Sequence, residues 1–150
     1  MNGHTFTYSG NDVYSLCGFV ENSGTMTING SGGTIVSDKV GLNSIEGVLN
    51  VNDATIKANR IGIYNKGTEL KEAVLKLKNV TFENCGTDVQ LGSNGTIDLS
   101  EYNGNAITID IDYNINDGKK HRISPRGVSR DDLNKINFVR NSDKLYRVDL

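Results

Sequence analysis

A chain of 150 residues with 17 glycines, one proline, no tryptophan and 7% aromatic residues is too glycine-rich for a helical bundle. It is also too regularly apolar for a disordered segment, and its length suits one domain with a core of its own. The net charge of −2 argues against a global field that would draw nucleic acid or an anionic membrane, and no apolar run reaches the ~20 residues that span a bilayer.

The chain opens on Met1-Asn2-Gly3-His4, with neither a basic n-region nor an apolar h-region. No signal peptide is expected in it, so either the protein stays inside its cell or virion or this sequence is a segment of a longer exported chain. Phe6 and Tyr8 then alternate with polar residues, and residues 1–17 read as a degenerate opening coil.

From there a repeat of some 22 residues runs to about residue 100. A small-residue turn recurs as Asn22-Ser23-Gly24-Thr25, Ser44-Ile45-Glu46-Gly47, Asn65-Lys66-Gly67-Thr68 and Asn94-Gly95-Thr96. An alternating apolar pair follows three of the turns directly: Met26 and Ile28, Leu49 and Val51, Ile97 and Leu99. In the third unit the pair is Leu75 and Leu77, delayed by an insertion around Glu69 to Ala73. Such alternation is the period of a strand with one buried face. Leu49-Asn50-Val51-Asn52-Asp53-Ala54-Thr55-Ile56 also aligns without a gap onto Leu75-Lys76-Leu77-Lys78-Asn79-Val80-Thr81-Phe82, apolar on apolar and polar on polar. An apolar residue followed by glycine gives a third marker: Cys17-Gly18, Val40-Gly41, Ile61-Gly62 and Cys85-Gly86, the glycines 23, 21 and 24 residues apart.

A unit of this size cannot bury its apolar face alone. Stacking the units places Leu49 on Leu75, Val51 on Leu77 and Ile56 on Phe82 as continuous inward ladders, with backbone hydrogen bonds between coils about 4.8 Å apart. Glycines serve the corners. Asp38, Asn59 and Asn84 recur at nearly one offset and are expected to form a polar turn ladder.

Residues 101–150 break the period. Ile107, Ile109, Ile111, Tyr113 and Ile115 alternate with polar residues as one long strand or two joined ones. Asn116-Asp117-Gly118 is a tight-turn signal leading to a second strand near His121 to Ile123. Ser129-Arg130-Asp131-Asp132 resembles a capping box, predicting a short helix that presents Leu133 and Ile136. A last strand is expected near Leu145 to Val148. The fold expected is therefore all-β: a parallel β-helix (β-solenoid) of about four short coils over residues 1–100, with a β-rich cap containing one short helix over 101–150. The cap packs on the last coil, making one domain overall.

The phrases Gly62-Ile63-Tyr64-Asn65-Lys66-Gly67-Thr68, Leu77-Lys78-Asn79-Val80-Thr81-Phe82-Glu83-Asn84 and Thr87-Asp88-Val89-Gln90-Leu91 resemble the right-handed parallel β-helix repeats of large bacterial surface proteins, whose superfamily shares its fold with pectate lyases. The resemblance covers roughly residues 18–100. It implies right-handed coils and a cell-surface or secreted setting, and it reflects fold rather than function.

Candidate chemistry is sparse. Cys17 and Cys85 fill the slot of Val40 and Ile61 and read as small buried hydrophobes. Three coils would separate them by roughly 14 Å, beyond disulfide reach. His4 and His121 lie at opposite ends of the chain and no Cys or His pair has metal-ligand spacing, so neither a metal nor a cofactor is expected. Asp98, Asp110 and Asp112 are the acidic candidates for calcium; the last two alternate with Ile109 and Ile111 and read as a solvated strand face. A lyase of this fold gathers carboxylates on neighbouring coils beside an arginine base, and Arg60 is the only such base near the middle coils. Glu46 and Glu83 could pair across coils for glycoside hydrolysis. Thr25, Thr27, Thr55, Thr81 and Thr96 are too scattered for a regular threonine array of the ice-binding kind.

Charge is unevenly placed. Residues 1–118 carry 7 Lys/Arg against 14 Asp/Glu, whereas residues 119–150 carry 9 against 4. Lys119, Lys120, Arg122, Arg126 and Arg130 form the candidate anionic-ligand patch in a basic tail that also holds Arg140 and Arg147; the same charges also serve as ordinary edge protection. The function expected is a non-catalytic structural or adhesive β-helix module of a cell-surface or secreted bacterial protein, with surface glycans or neighbouring domains as partners. The alternatives are a polysaccharide lyase or hydrolase of the same fold and a viral tail-fibre segment.

Overall fold

Leu49, Val51 and Ile56 repeat at Leu75, Leu77 and Phe82, and this repeat sets the architecture. In the computed structural model the two segments pair in parallel, with Leu49 opposite Leu75, Val51 opposite Leu77 and Ile56 opposite Phe82. The gap-free alignment read from sequence is the register of the fold. The structure describes residues 2–10, 18–20, 24–68, 70–92, 94–111, 122–123, 136–138 and 147–148. It is a parallel β-solenoid of about four turns.

The strands are β1 (Thr5–Tyr8), β2 (Gly18–Val20), β3 (Thr25–Ser37), β4 (Val40–Ser44), β5 (Gly47–Ala58), β6 (Ile61–Asn65), β7 (Ala73–Phe82), β8 (Thr87–Leu91), β9 (Gly95–Asp98), β10 (Ile107–Ile111), β11 (Arg122–Ile123), β12 (Ile136–Phe138) and β13 (Arg147–Val148). One sheet runs β1-β3-β5-β7-β9, a second runs β12-β10-β8-β6-β4-β2, and β11 pairs with β13. All of these pairings are parallel.

The long strands β3, β5 and β7 each turn a corner midway, so each of these coils has three faces. Asp53 and Asn79 stand at that corner with φ of 52° and 50°. This left-handed conformation is one that Asp and Asn tolerate better than most residues. Asn79 Nδ2 donates to Asp53 Oδ1 at 2.7 Å, so the two corners also bond to one another. In β3 the residues Gly30, Ser31 and Gly32 stand opposite Asp53 alone, and the register shifts there. Gly30 is required by space: a Cβ at that position would collide with the Asp53 carbonyl oxygen and with Ala54. A polar corner contact of the kind expected at Asp38, Asn59 and Asn84 is found at Asp53 and Asn79 of the preceding corner, and Asn84 also turns with φ 55°.

The first face comprises residues 25–29, 47–52, 73–78 and 95–98. The second comprises 5–8, 33–37, 54–58 and 80–82, and the third comprises β2, β4, β6, β8, β10 and β12. Their inward columns fill the core: Leu49, Val51, Ile56, Ile63, Leu75, Leu77, Val89, Ile97 and Ile109 are all at most 1% exposed. Each such side chain contributes roughly 1.5–3 kcal/mol against the entropy of ordering the corners. One inward column carries two polar residues, Ser44 and Asn65, among apolar ones. Asn65, fully buried between Ser44 and Leu91 in its column, donates Nδ2 to the carbonyl oxygens of Ala73 (2.9 Å) and Thr96 (2.8 Å). It thereby clamps the starts of β7 and β9 together.

The insertion expected around Glu69 to Ala73 is present: residues 66–68 and 70–72 lie outside the strands before β7 resumes the register with Ala73 opposite Gly47. Thr68 and Lys71 close it on themselves, with backbone and hydroxyl hydrogen bonds of 2.8 and 3.1 Å. Both are tied to Glu46, by a hydrogen bond of 3.0 Å and an ion pair of 3.2 Å.

Several expectations are corrected. The apolar-glycine marker is in register only between Val40-Gly41 and Ile61-Gly62. Thr87, not Cys85, stands opposite Ile61, and Gly18 stands opposite Leu42. The marker's spacing varies because turn lengths differ while the strands hold register. Cys85 is therefore a half-buried turn residue packed against the core and not a ladder residue; Cys17 lies outside the described residues. The threonines are less scattered than they read, since Thr5, Thr34, Thr55 and Thr81 stack in one outward column. The neighbouring column, however, contains Val36 and Lys57, so the face is no threonine array. Phe6 and Tyr8 stack on Ile35 and Ser37 of the second face, not on the Met26 column.

At the C-terminal end, β10 pairs with β8 and β12 with β10, Ile107 lying opposite Ile136. Ile136 therefore belongs to a strand and not to the expected helix, whose residues 129–135 lie outside the described set. The tight turn at 116–118 is also outside it, and the strand after it, β11, pairs with β13 instead of folding back on β10. Parallel stacking prevails over the hairpin because Ile107 and Ile109 match the inward columns of β8.

Two outcomes follow. Val51→Asp buries a carboxylate between Ile28 and Leu77 and should abolish the cooperative melt followed by circular dichroism, a penalty of several kcal/mol, while Asn50→Asp one residue away leaves Tm nearly unchanged. Asn65→Ala removes the clamp on two buried carbonyls and should lower unfolding free energy in urea by about 1–3 kcal/mol.

Candidate binding groove

Outward residues repeat from coil to coil as strictly as inward ones, and on the first face they are polar throughout the centre. One column runs Thr27, Asn50, Lys76, Asp98 and the next runs Asn29, Asn52, Lys78. Parallel pairing sets successive members about 4.8 Å apart, and strand pleating sets the two columns about 6.7 Å apart. All of these except Asn29, together with Leu77, Ser100 and Glu101, line a groove of about 400 Å3.

Cross-coil bonds hold the groove in shape. Asn50 Nδ2 donates to Thr27 Oγ1 at 3.0 Å and Asn52 Nδ2 to Asn29 Oδ1 at 2.9 Å. Lys76 Nζ lies 4.0 Å from Asp98 Oδ2 and Lys78 Nζ lies 2.8 Å from Glu101 Oε2. The hydrogen bond to Glu101, and then its charge, raise the Lys78 ammonium above its ordinary pKa. Ser100 donates N–H and Oγ–H to Asp98 Oδ1. One half of the groove therefore presents amides and hydroxyls, and the other presents two ammonium groups balanced by two carboxylates. Such a surface can hydrogen-bond an extended polar ligand over several coils.

A second, smaller space of about 30 Å3 lies where the second face ends, lined by Thr81, Phe82, Asp88, Tyr102, Asn105, Ala106 and Ile107. In this last coil residues 99–106 run as a loop between β9 and β10 in place of a second-face strand. Tyr102 of that loop is 3% exposed and donates its hydroxyl to the Asn105 carbonyl at 2.6 Å. Burial, and then the nearby Asp88 charge, push the phenol up to about 12. Asp88 Oδ2 accepts the Thr108 N–H at 2.7 Å, fastening β10 to β8. Burial raises the Asp88 carboxyl above the usual carboxylate range despite that bond. Asp88 continues a column that is glycine in the coils below; a Cβ at Gly62 would meet the Asp88 carbonyl oxygen at 2.6 Å and the Phe82 ring at 2.9 Å.

The residues singled out from sequence are dispersed. Glu46 is held by Thr68 and Lys71 at the start of the first face, whereas Glu83 pairs with Lys57 at 2.7 Å at the end of the second. Arg60 is an exposed turn residue. Asp98 belongs to the groove, and Asp110 accepts from Gln90 at 3.3 Å; Asp112 and His121 lie outside the described residues. Among the described residues no group of three or more His, Cys, Asp or Glu could hold a metal ion. The Cys85 thiol is pushed up to about 11 by burial, which disfavours the reactive thiolate. Of the candidate anionic-ligand patch, the structure describes Arg122 alone, as backbone in β11, while Lys119, Lys120, Arg126 and Arg130 lie outside it.

The groove was within reach of the sequence, because the alignment of 49–56 on 75–82 already stacks Asn50 on Lys76 and Asn52 on Lys78. The Asp88–Tyr102 contact was not, because it joins a strand to a loop that breaks the repeat. Compared with known proteins, the chain matches no family model, no curated protein and no solved structure.

Burial makes the Asp88 carboxyl harder to ionise in the folded chain than in the unfolded one, so its stabilising contribution is present at acid pH and is lost as pH rises through the folded pKa. Asp88→Asn keeps an acceptor for Thr108 and removes the charge. It should raise Tm at pH 7 and leave it unchanged near pH 3, as read by scanning calorimetry at both values.

Proposed function

We propose that this chain is a non-catalytic, structural and adhesive β-helix module of a bacterial cell-surface or secreted protein, and that the first-face groove is its contact surface for a neutral surface glycan. The single observation that carries the reading is the groove's composition: two in-register polar columns crossing the coils, with two lysines and two carboxylates among the lining residues. Balanced charge gives no net attraction for a polyanion, while amides, hydroxyls and ammonium groups at regular spacing supply hydrogen bonds to a chain of hydroxyls. The likeness of the repeats to those of bacterial surface proteins supports the setting, and the rigid ladder supports adhesion, because little ordering is needed when a ligand binds.

Binding to immobilised neutral and acidic polysaccharides tests this. The intact protein should retain a neutral glycan, and Asn52→Ala/Lys78→Ala should weaken it at least about tenfold, or 1.4 kcal/mol, at unchanged Tm. Retention that ignores these substitutions removes the groove from the reading. Release of cleaved or unsaturated sugar from an acidic polysaccharide would instead favour a lyase or hydrolase.

A further inference from the structure

The two ends of the solenoid are stepped, and the steps match. At the N-terminal end the first face begins with residues 25–29, while the second and third begin one coil earlier with β1 and β2. At the other end, leaving out everything after Ser100, the first face reaches β9 while the second and third stop one coil earlier, at residues 80–82 and at β8. Setting one copy on another with a single register therefore fills all three faces at once. Thr25 follows Thr96 in its column, Thr5 and Phe6 follow Thr81 and Phe82, and Gly18 follows Val89.

Among the described residues the N-terminal step is open. All four residues of β1 are exposed, including Phe6 at 52% and Tyr8 at 37%, and β1 has one strand neighbour among the described residues. The opposite step is occupied by the chain's own continuation. The loop with Tyr102 lies against Thr81 and Phe82, and β10 lies on β8, pinned by Asp88.

We propose that the partner this surface fits is a second copy of the same chain, stacked head to tail, and that the loop with Tyr102 and β10 occupy the docking step and so hold the protein back from assembly. Displacing them exposes Val80, Phe82 and Val89 and the free edges of β7 and β8, where the β1 and β2 edges of another copy continue the same columns. The contact joins two different surfaces and leaves both ends open, so assembly propagates as a filament and does not close at a dimer.

The full-length chain tests this with Ile107→Asp/Ile109→Asp, which expels β10 from β8 and leaves both steps intact. Thr5→Cys and Thr81→Cys are added in a Cys17→Ser/Cys85→Ser background, where the proposed register brings them about 4.8 Å apart, within the span of a disulfide. The released variant should keep its β-sheet circular dichroism, sediment as a mass that grows with concentration, and lose its monomer band on oxidation to a ladder of Thr5–Thr81-linked multimers. The same cysteine pair with Ile107 and Ile109 intact should stay monomeric, and adding Phe6→Lys to the released variant should restore the monomer. Should the double Asp variant lose its β signal, Ile109→Thr is read by the same cross-link. A folded released variant that stays monomeric, multimers without the Thr5–Thr81 link, or a parent that cross-links equally would each overturn the proposal.

Discussion

Parallel, in-register stacking is the constraint on which the rest of this molecule depends. Each strand residue sits about 4.8 Å from its counterpart one coil away, so a column must suit itself over several repeats. Inside, this forces apolar columns such as Met26, Leu49, Leu75 and Ile97, because one charge in the series would be buried between two hydrocarbons. Outside, it gathers Thr27, Asn50, Lys76 and Asp98, far apart in sequence, into one continuous surface. The core and the candidate groove are consequences of the same pairing.

The corners are where that constraint is relieved. Asp53 and Asn79 turn the chain through a conformation most residues resist, and Gly30 lets β3 bulge against the Asp53 carbonyl. Turn lengths vary because only the strands need register: the insertion before β7 lengthens one turn without displacing Ala73 from Gly47. Variation in a turn is tolerated as long as its own polar groups are bonded, as Thr68, Lys71 and Glu46 are here.

A solenoid must also end, and here the ends differ. At the C-terminal side the second face gives way to a loop whose Tyr102 reaches into the core while Asp88 ties down the next strand. The same Asp88 is a half-buried carboxyl that resists ionisation, so this fastening is electrostatically less favourable than the apolar ladders beneath it. At the N-terminal side, Phe6 and Tyr8 remain on the surface.

The sequence by itself determined the inward and outward alternation, the coil length and the register of 49–56 on 75–82, because a period-2 pattern repeated at fixed spacing leaves one stacking that buries every apolar residue. It also carried the groove implicitly, as the polar half of the same alignment. What only the tertiary structure decided lies where the repeat is imperfect. The apolar-glycine marker misled for Gly18 and Cys85 because turn length, not register, sets its spacing. Ile136 joined a strand because the Ile107 column was available beside it, against a local capping signal of about 0.5–2 kcal/mol. Asp88 met Tyr102 because a loop replaced a strand, and no local pattern encodes where a loop's side chain will find the core.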